Sequence, residues 1–311
     1  MEQLLNRPEK EKKRVRLTVA YDGTNYHGWQ IQNNGITIES ELNRCLTDLL
    51  REPVEVIGAS RTDSGVHALG NIAVFDTTSR MPAEKISYAL NQRLPEDIRI
   101  QKSEQVPQDW HPRRCDSRKT YEYRIYRAQF PMPVKRLYSL FTYYELDVNR
   151  MQEAAAYLEG EHDFKSFCQT GAQVESTVRT IYSVEVEEQG ENDLVIRVCG
   201  NGFLYNMVRI IAGTLLDIGQ GKRDPMDIFT ILEARDRSTA GPTAPAHGLT
   251  LMKYEFIDYL FKQELLQRVI EKVKKFNERN NHLNLKLGFR LYESDSEYNY
   301  YEVNPKTLNV Q

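Results

Sequence analysis

An apolar segment at residues 203–218 (FLYNMVRIIAGTLLDI) sets the strongest limit on the fold. At about 16 residues it is longer than most strands and shorter than the roughly 20 residues that a membrane span needs. It therefore predicts a buried helix, and such a helix needs other layers of structure packed against it. Arg209 lies within this segment, and a buried arginine almost requires an acidic partner.

The rest of the chain mixes strand and helix patterns. Apolar alternation predicts strands at 14–21, 54–60, 71–76 and 119–127, and a β-hairpin over 179–202. Helical spacing predicts helices at 36–50, 82–93 and 147–159, with Thr37 as an N-cap, Pro82 in a first turn and Gly160 as a stop signal. These patterns indicate the α+β class, with two α/β lobes that have largely antiparallel mixed sheets.

The same patterns predict three regions. We expect an N-terminal lobe at 14–110, a second lobe at 111–254 and an appended module at 255–311. In the module, apolar spacing over 256–276 predicts a helix, and alternation over 283–291 followed by 298–303 predicts a hairpin. Nothing in its composition suggests a role, because its basic and acidic residues are equal in number.

Composition excludes some classes of protein. No apolar run is long enough to cross a membrane, and the N-terminal residues are charged where a signal peptide is apolar. The four cysteines lie far apart, and the six histidines form no metal-binding pattern, so we expect free thiols, no metal and a cytoplasmic protein.

Charge leaves nucleic-acid binding open. The net charge is −3, which is unusual for a protein that binds a polyanion. Residues 7–16, however, have six basic against two acidic residues, and 110–127 have six against two. Such stretches are either ordinary solvated surface or parts of a binding face.

Asp63 lies in a polar loop, Ser60 to His67, between two predicted strands. Asp-Ser-Gly is common turn chemistry, which is one interpretation. The other is a carboxylate displayed by a rigid sheet, the usual place for a catalytic group. His67 is expected to hold the loop by hydrogen bonds rather than to act as a general base.

Ordered blocks across residues 15–253 favour the second interpretation. GASRTDSGVHALGNIAVF (58–75) resembles the catalytic segment of the TruA family of tRNA pseudouridine synthases, whose pattern is G-x-x-R-T-D-x-G-V-H-x. The blocks that resemble other parts of the family, in order, are 21–32, 110–126, 162–168, 178–181, 200–219 and 240–251. Small departures are Ser64, Trp110 and Cys115, none at a position with a chemical role.

The resemblance implies a role for each matching position. It implies that Asp63 is the catalytic aspartate, Arg209 its arginine partner and Tyr121 the tyrosine that packs against the target base. It also implies that Arg61 helps to extrude the base and that Leu249 lies beneath it. The implied fold is that of pseudouridine synthases, with a central catalytic cleft. The implied activity is isomerisation of uridine at tRNA positions 38, 39 and 40 by a homodimer.

These residue types suit that chemistry. The isomerisation involves no net redox change and no energy source, so we expect no cofactor. A nearby guanidinium favours an ionised carboxylate, which could act as a nucleophile or as a base for the C2′ proton. An aromatic platform offsets the cost of flipping a base. Basic candidates for contacts with the RNA backbone are Arg113, Arg114, Arg118 and Lys119.

Two other functions compete with this one. An RNA-binding protein or tRNA chaperone without catalysis would need no buried acid or paired arginine. An aspartate-based hydrolase would need a second carboxylate at general-acid distance, and none is evident near Asp63. Joint retention of Asp63, Tyr121 and Arg209 favours the enzyme.

Overall fold

The structure is a computed structural model that describes residues 12–115, 117–171, 174–256, 269–274, 290–294 and 298–303. The chain divides into two compact units, Met1–Arg114 and Cys115–Gln311. The division lies four residues after the lobe boundary expected at 110/111. Both that boundary and the one at 254/255 stay predictions.

The first unit is an antiparallel sheet with two helices. Its elements are β1 (Lys13–Tyr21), α1 (Ile38–Leu50), β2 (Ile57–Gly58), β3 (His67–Thr77), α2 (Ala83–Asn91) and β4 (Ile98–Val106). β1 lies between β4 and β3, and the short β2 pairs with β3. Helix α2 packs on β4 and contacts α1. Apolar side chains from both layers, including Leu17, Leu42 and Leu90, are fully buried between them.

Helix α1 has the start that its sequence predicts. The Thr37 hydroxyl accepts from the Ser40 N–H while the Ser40 hydroxyl accepts from the Thr37 N–H, which is a capping box. Pro82 precedes the first residue of α2 instead of lying inside its first turn. Strand β4 was not predicted, because buried and exposed residues do not alternate regularly along it.

The second unit contains a larger antiparallel sheet. Its elements up to residue 256 are β5 (Ser117–Arg127), β6 (Leu140–Thr142), α3 (Val148–Ala156), β7 (Gly160–Asp163), β8 (Val178–Glu188), β9 (Asp193–Gly200), α4 (Met207–Gly219), α5 (Asp227–Ala234) and β10 (Leu249–Phe256). The strand order is β10-β5-β9-β8-β7, and β6 pairs with β5 in parallel. The predicted hairpin is present as β8 and β9. Helix α3 packs on β8 and α4.

Two predicted helix boundaries were wrong. Helix α4 begins at Met207 and not at 203, because Asn206 has a left-handed backbone with φ +60° that cannot belong to a right-handed helix. Helix α3 ends at Ala156, so Gly160 does not stop it and instead begins β7. The apolar character of α4 was predicted correctly, since nearly every residue in it is buried.

The expected helix over 256–276 was also wrong where it can be compared. Residues 269–274 are a strand, β11 (Val269–Lys274), and Phe256 is the end of β10. Residues 257–268, 275–289 and 295–297 lie outside the described residues, and with them most of the predicted strand at 283–291. Strands β12 (Arg290–Ser294) and β13 (Tyr298–Val303) form the expected antiparallel pair, and β11 pairs with the other edge of β13.

Among the helices that the structure describes, none is both long enough and apolar enough to span a bilayer.

Candidate active site

Asp63 lies in the loop that joins β2 to β3 in the first unit, and the backbone on either side of it is held by hydrogen bonds. The Thr62 carbonyl accepts from the Trp29 N–H at 3.0 Å, and the Asp63 carbonyl accepts from the Val66 N–H at 3.1 Å. The side chain of Asp63 is half-buried, while Arg61 is exposed. The backbone of the loop is therefore held on both sides of Asp63, and the Arg61 side chain is accessible to solvent.

The segment 22–29 forms a cradle under this loop. The Tyr26 carbonyl accepts from the Ser64 hydroxyl at 3.1 Å. Gly28 has φ +81°, and a Cβ there would lie 2.6 Å from the Thr62 carbonyl oxygen. Only glycine permits this approach, so the close packing of the cradle on the Asp63 loop depends on it.

A buried polar network lies beneath the loop. The Tyr21 hydroxyl is 2.7 Å from Thr62 Oγ1, and Asn71 Nδ2 donates to the Tyr21 oxygen at 3.2 Å and to the Ser60 carbonyl at 3.0 Å. Asn71 is fully buried, and Tyr21 and Thr62 nearly so. Burial raises the pKa of Tyr21 well above its ordinary value, so the phenol keeps its proton.

His67 joins the loop to the cradle, as expected. Its Nδ1 lies 3.1 Å from the Gly23 nitrogen, which donates to it, and 3.0 Å from Asp22 Oδ1. The ring is buried at the start of β3. These contacts support a structural role.

Tyr121 and Leu249 lie on neighbouring strands of the second unit. Tyr121 is on β5, pairs with Leu251 of β10 and is 8% exposed. Its ring meets the Phe203 ring edge-on with centroids 5.2 Å apart. Leu249, at the start of β10, is buried and pairs with Tyr123. The edge-on contact with Phe203 therefore restricts the plane of the Tyr121 ring.

Arg209 lies in the first turn of α4 and is held from two sides. Its Nε donates to the Ala244 carbonyl at 2.7 Å, and its Nη1 donates to Asn206 Oδ1 at 2.9 Å. The Ala244 N–H in turn donates to the Arg209 carbonyl at 3.1 Å. The side chain is half-buried in an apolar helix, so its orientation is strongly restricted. The acidic partner that the sequence leads us to expect stays a prediction.

The segment that contains Ala244 packs directly on α4. A Cβ on Gly213 would lie 1.8 Å from the Pro242 carbonyl oxygen, and the Gly241 N–H donates to the Thr214 hydroxyl at 2.9 Å. Glycine at position 213 thus allows the loop to approach closely enough for Ala244 to reach Arg209.

The four basic candidates divide between the units. Arg113 and Arg114 are exposed in the first, and Arg113 Nε donates to the Gly58 carbonyl at 2.7 Å. Arg118 and Lys119 are half-buried on β5 of the second, and the Arg118 guanidinium lies 4.4 Å from the centre of the Tyr182 ring. Arg113 and Arg114 are therefore the solvent-exposed members of the four.

Sequence reasoning assigned no role to several residues that build the site. They are Tyr21, Tyr26, Asn71, Phe203, Asn206 and Ala244. The blocks at 21–32, 200–219 and 240–251 include most of them, so the ordered blocks were the available signal. No local spacing relates Tyr21 to Asn71, because their contact depends on the register of β1 and β3.

Known proteins with similar sequences identify the family of this chain. A sequence model of the family described as tRNA pseudouridine synthase matches residues 17–113 and 154–256, which together exceed half of the chain. A tRNA pseudouridine synthase A of Ruminiclostridium cellulolyticum is 51% identical over 241 residues, which are 78% of this chain and 98% of that protein. The proteins of the same name from an Exiguobacterium species and from Bacillus licheniformis are each 46% identical, over 248 and 242 residues. The match covers 79% and 77% of this chain, and 100% and 98% of those two proteins.

The relatives are shorter than this chain. They match over nearly their whole length, but about a fifth of this chain lies outside the match. The family match ends at residue 256, so β11, β12 and β13 lie outside it.

Proposed function

The chain belongs to the tRNA pseudouridine synthase family, and from this membership we infer that it is an isomerase that converts uridine to pseudouridine in tRNA. The observation that supports this most strongly is the match to whole relatives, which spans both the Asp63 loop and the α4 segment. A binding protein without catalysis would not require a carboxylate held on so rigid a loop.

The reaction needs few chemical groups. The bond between C1′ and N1 breaks, the uracil turns, and C1′ joins C5, which loses its proton while N1 gains one. Atoms and electrons balance without a redox partner. We propose that Asp63 is the catalytic carboxylate, acting either as a nucleophile or as a base at C2′.

The other site residues take supporting roles in this proposal. Arg209 favours the ionised form of the Asp63 carboxylate, as a guanidinium does for a nearby acid. Tyr121 provides the aromatic platform for the flipped uracil, and Leu249 an apolar surface next to it. Arg61, which is exposed beside Asp63, helps to extrude the base. Arg113, Arg114, Arg118 and Lys119 are proposed to contact phosphates without selecting sequence.

The substrate positions and the setting are finer proposals. The resemblance implies uridines at tRNA positions 38, 39 and 40 in the anticodon stem-loop. Because unmodified tRNA is the substrate, we propose that the enzyme acts in the cytoplasm.

We also propose that the enzyme works as a homodimer. Exposed apolar and aromatic side chains lie close together in sequence between residues 130 and 144, including Phe130, Val134 and Tyr143 at 71%, 85% and 65% exposure. Surfaces of this kind mark interaction sites, and a second copy is the partner that the family implies. A Val134→Asp/Tyr143→Asp variant is expected to elute as a monomer in light-scattering chromatography. A dimer of unchanged stability would place the interface elsewhere.

The test of catalysis is release of tritium from tRNA labelled at uridine C5, because C5 loses its proton only when the new bond forms. We expect release by the wild type and none by Asp63→Asn, with tRNA affinity changed by about 3-fold or less. The matched control is Asp48→Asn, which removes an exposed carboxylate on α1. Full activity of Asp63→Asn would exclude the proposed carboxylate. Absence of release by the wild type, with tRNA still bound, would favour a binding protein.

A further inference from the structure

We propose that Tyr21, Asn71 and Thr62 form a positioning clamp that fixes the direction of the Asp63 carboxylate in the isomerisation. The inference rests on the proposed function and assigns to these residues a role beyond stability. None of the three is proposed to touch the substrate, so each is a positioning residue.

Asn71 anchors the clamp because all of its hydrogen-bonding capacity is used. Its Nδ2 donates to the Tyr21 oxygen and the Ser60 carbonyl, and its Oδ1 accepts from the N–H groups of Ser60 at 3.3 Å and Ile72 at 2.9 Å. An amide has two donor hydrogens and two acceptor sites, so none remains free. The two N–H groups on one side also fix which end of the amide is the oxygen.

A second hydrogen bond connects Tyr21 to the Asp63 loop. The Tyr21 oxygen accepts from Asn71. The Tyr21 hydroxyl and Thr62 Oγ1 are 2.7 Å apart and share a hydrogen bond in which either can be the donor. The chain of bonds runs from β3 through the end of β1 to the residue directly before Asp63.

The clamp adds a side-chain restraint to a loop whose backbone is already held. The Thr62 carbonyl accepts from the Trp29 N–H, and the Asp63 carbonyl accepts from the Val66 N–H. Fixing the Thr62 side chain as well restricts rotation of the backbone between residues 62 and 63. The Asp63 side chain then leaves a backbone of defined orientation, which near-attack geometry at C1′ or C2′ requires.

The burial of the three side chains supports a positioning role. Asn71 is fully buried, and Tyr21 and Thr62 are 5% and 7% exposed. Bonds shielded from water do not exchange with solvent, so the loop has one arrangement instead of several. A surface turn with the same Asp-Ser-Gly sequence would lack this restriction.

The experiment compares substitutions that remove a single hydroxyl. Tyr21→Phe removes the bonds to Thr62 and to Asn71, Thr62→Val removes the first of these bonds from the other side, and Thr62→Ser restores the hydroxyl. The matched control is Ser103→Ala in the same unit, which removes a buried hydroxyl that accepts from the Ser87 N–H at 2.9 Å. Single-turnover tritium release, tRNA affinity and the thermal midpoint are measured for each.

We expect Tyr21→Phe and Thr62→Val each to slow the single-turnover rate roughly 10- to 100-fold. Affinity for tRNA should change by about 3-fold or less, since binding does not need the precise carboxylate direction. The double variant should be no slower than Tyr21→Phe alone, because that substitution already removes the bond to Thr62. Thr62→Ser should recover most of the rate, and Ser103→Ala should lose thermal stability without losing rate.

Two results would overturn the clamp. One is a wild-type rate in a folded Tyr21→Phe or Thr62→Val variant. The other is an equal loss of rate in Ser103→Ala at a similar thermal midpoint, which would make general loosening the cause. The wild type and Asp63→Asn distinguish failure of the clamp from failure of the proposed function. If only the clamp fails, the wild type still releases tritium and Asp63→Asn does not.

Discussion

Asn206 accepts a hydrogen bond through its Oδ1 from Nη1 of Arg209, at 2.9 Å, while its own backbone is left-handed with φ +60° and ψ 8°. Asparagine tolerates this conformation better than most residues, and here its amide faces the guanidinium instead of capping the helix. The pair sets both where α4 begins and how Arg209 is oriented.

Asn206→Gly should therefore separate the effect of the left-handed backbone at residue 206 from the effect of the hydrogen bond to Arg209. Glycine adopts φ +60° without strain but has no amide, so the free energy of unfolding should change by less than about 1 kcal/mol. The rate of uridine isomerisation should fall roughly 10-fold, because Arg209 loses one of the hydrogen bonds that orient its guanidinium. Chemical denaturation and the C5 tritium assay measure the two effects. An unchanged rate would show that the Asn206 amide is not needed to orient the guanidinium.

Arg197→Met should destabilise the second unit. Glu122, next to Tyr121 on β5, is 6% exposed and accepts from Arg197 Nε at 3.1 Å and Nη2 at 3.0 Å. Arg124 also donates to this carboxylate, so part of the charge stays compensated. Removing this partner of the buried Glu122 carboxylate should cost about 2–4 kcal/mol in the free energy of unfolding.

The control for this prediction is the double variant Arg197→Met/Glu122→Gln, which also removes the negative charge of the Glu122 carboxylate. It should recover part of the lost stability in denaturant melts. A double variant that is less stable than Arg197→Met by the full cost of Glu122→Gln would mean that the two side chains do not interact.

Protonation of Asp76 should lower the stability of the folded state in acid. Arg14 donates to both Asp76 oxygens at 2.8 Å, and this hydrogen bonding holds the pKa of Asp76 below its ordinary value of 3.8. The unfolded chain then binds the proton more tightly than the folded one. The ion pair therefore adds stability above pH 3.8, and that stability is lost as the pH falls through the lower folded-state value.

Asp76→Asn should be less stable than the wild type near neutral pH, and the difference should shrink as the pH falls below 3.8 and the wild-type carboxyl takes up its proton. Thermal midpoints across this range test it, with Asp48→Asn as the exposed control. A constant difference at every pH would assign the effect to packing rather than to proton binding.

Truncation after Phe256 should leave the isomerase active. The family match ends at that residue, and relatives that match over 98–100% of their own length are similar to this chain without its last part. We expect the C5 tritium rate of residues 1–256 to stay within about 3-fold of the full chain. A folded but inactive truncated chain would make β11, β12 and β13 part of the catalytic apparatus.

The sequence alone predicted elements whose causes are local. The capping box at Thr37 and the apolar spacing of α1 lie within a few residues of each other, as do the two strands and the turn of the β8–β9 hairpin. The α+β class and the family followed in the same way, since ordered blocks such as 58–75 and 200–219 are legible without a fold. Asp63, Tyr121 and Arg209 were named as site residues from those blocks.

What remained depended on residues far apart in the chain. Periodicity over 269–274 suited a helix, but pairing with β13 makes it a strand, and such pairing is not visible in a local window. Helix α4 starts at Met207 because Asn206 turns to Arg209, which spacing alone does not reveal. Tyr21 and Asn71 meet beneath the Asp63 loop only because β1 and β3 pair in one register. The sequence alone led to the residues that we propose for the chemistry, and the tertiary structure decided what holds them, because hydrogen bonds between distant segments form only once the strands are in place.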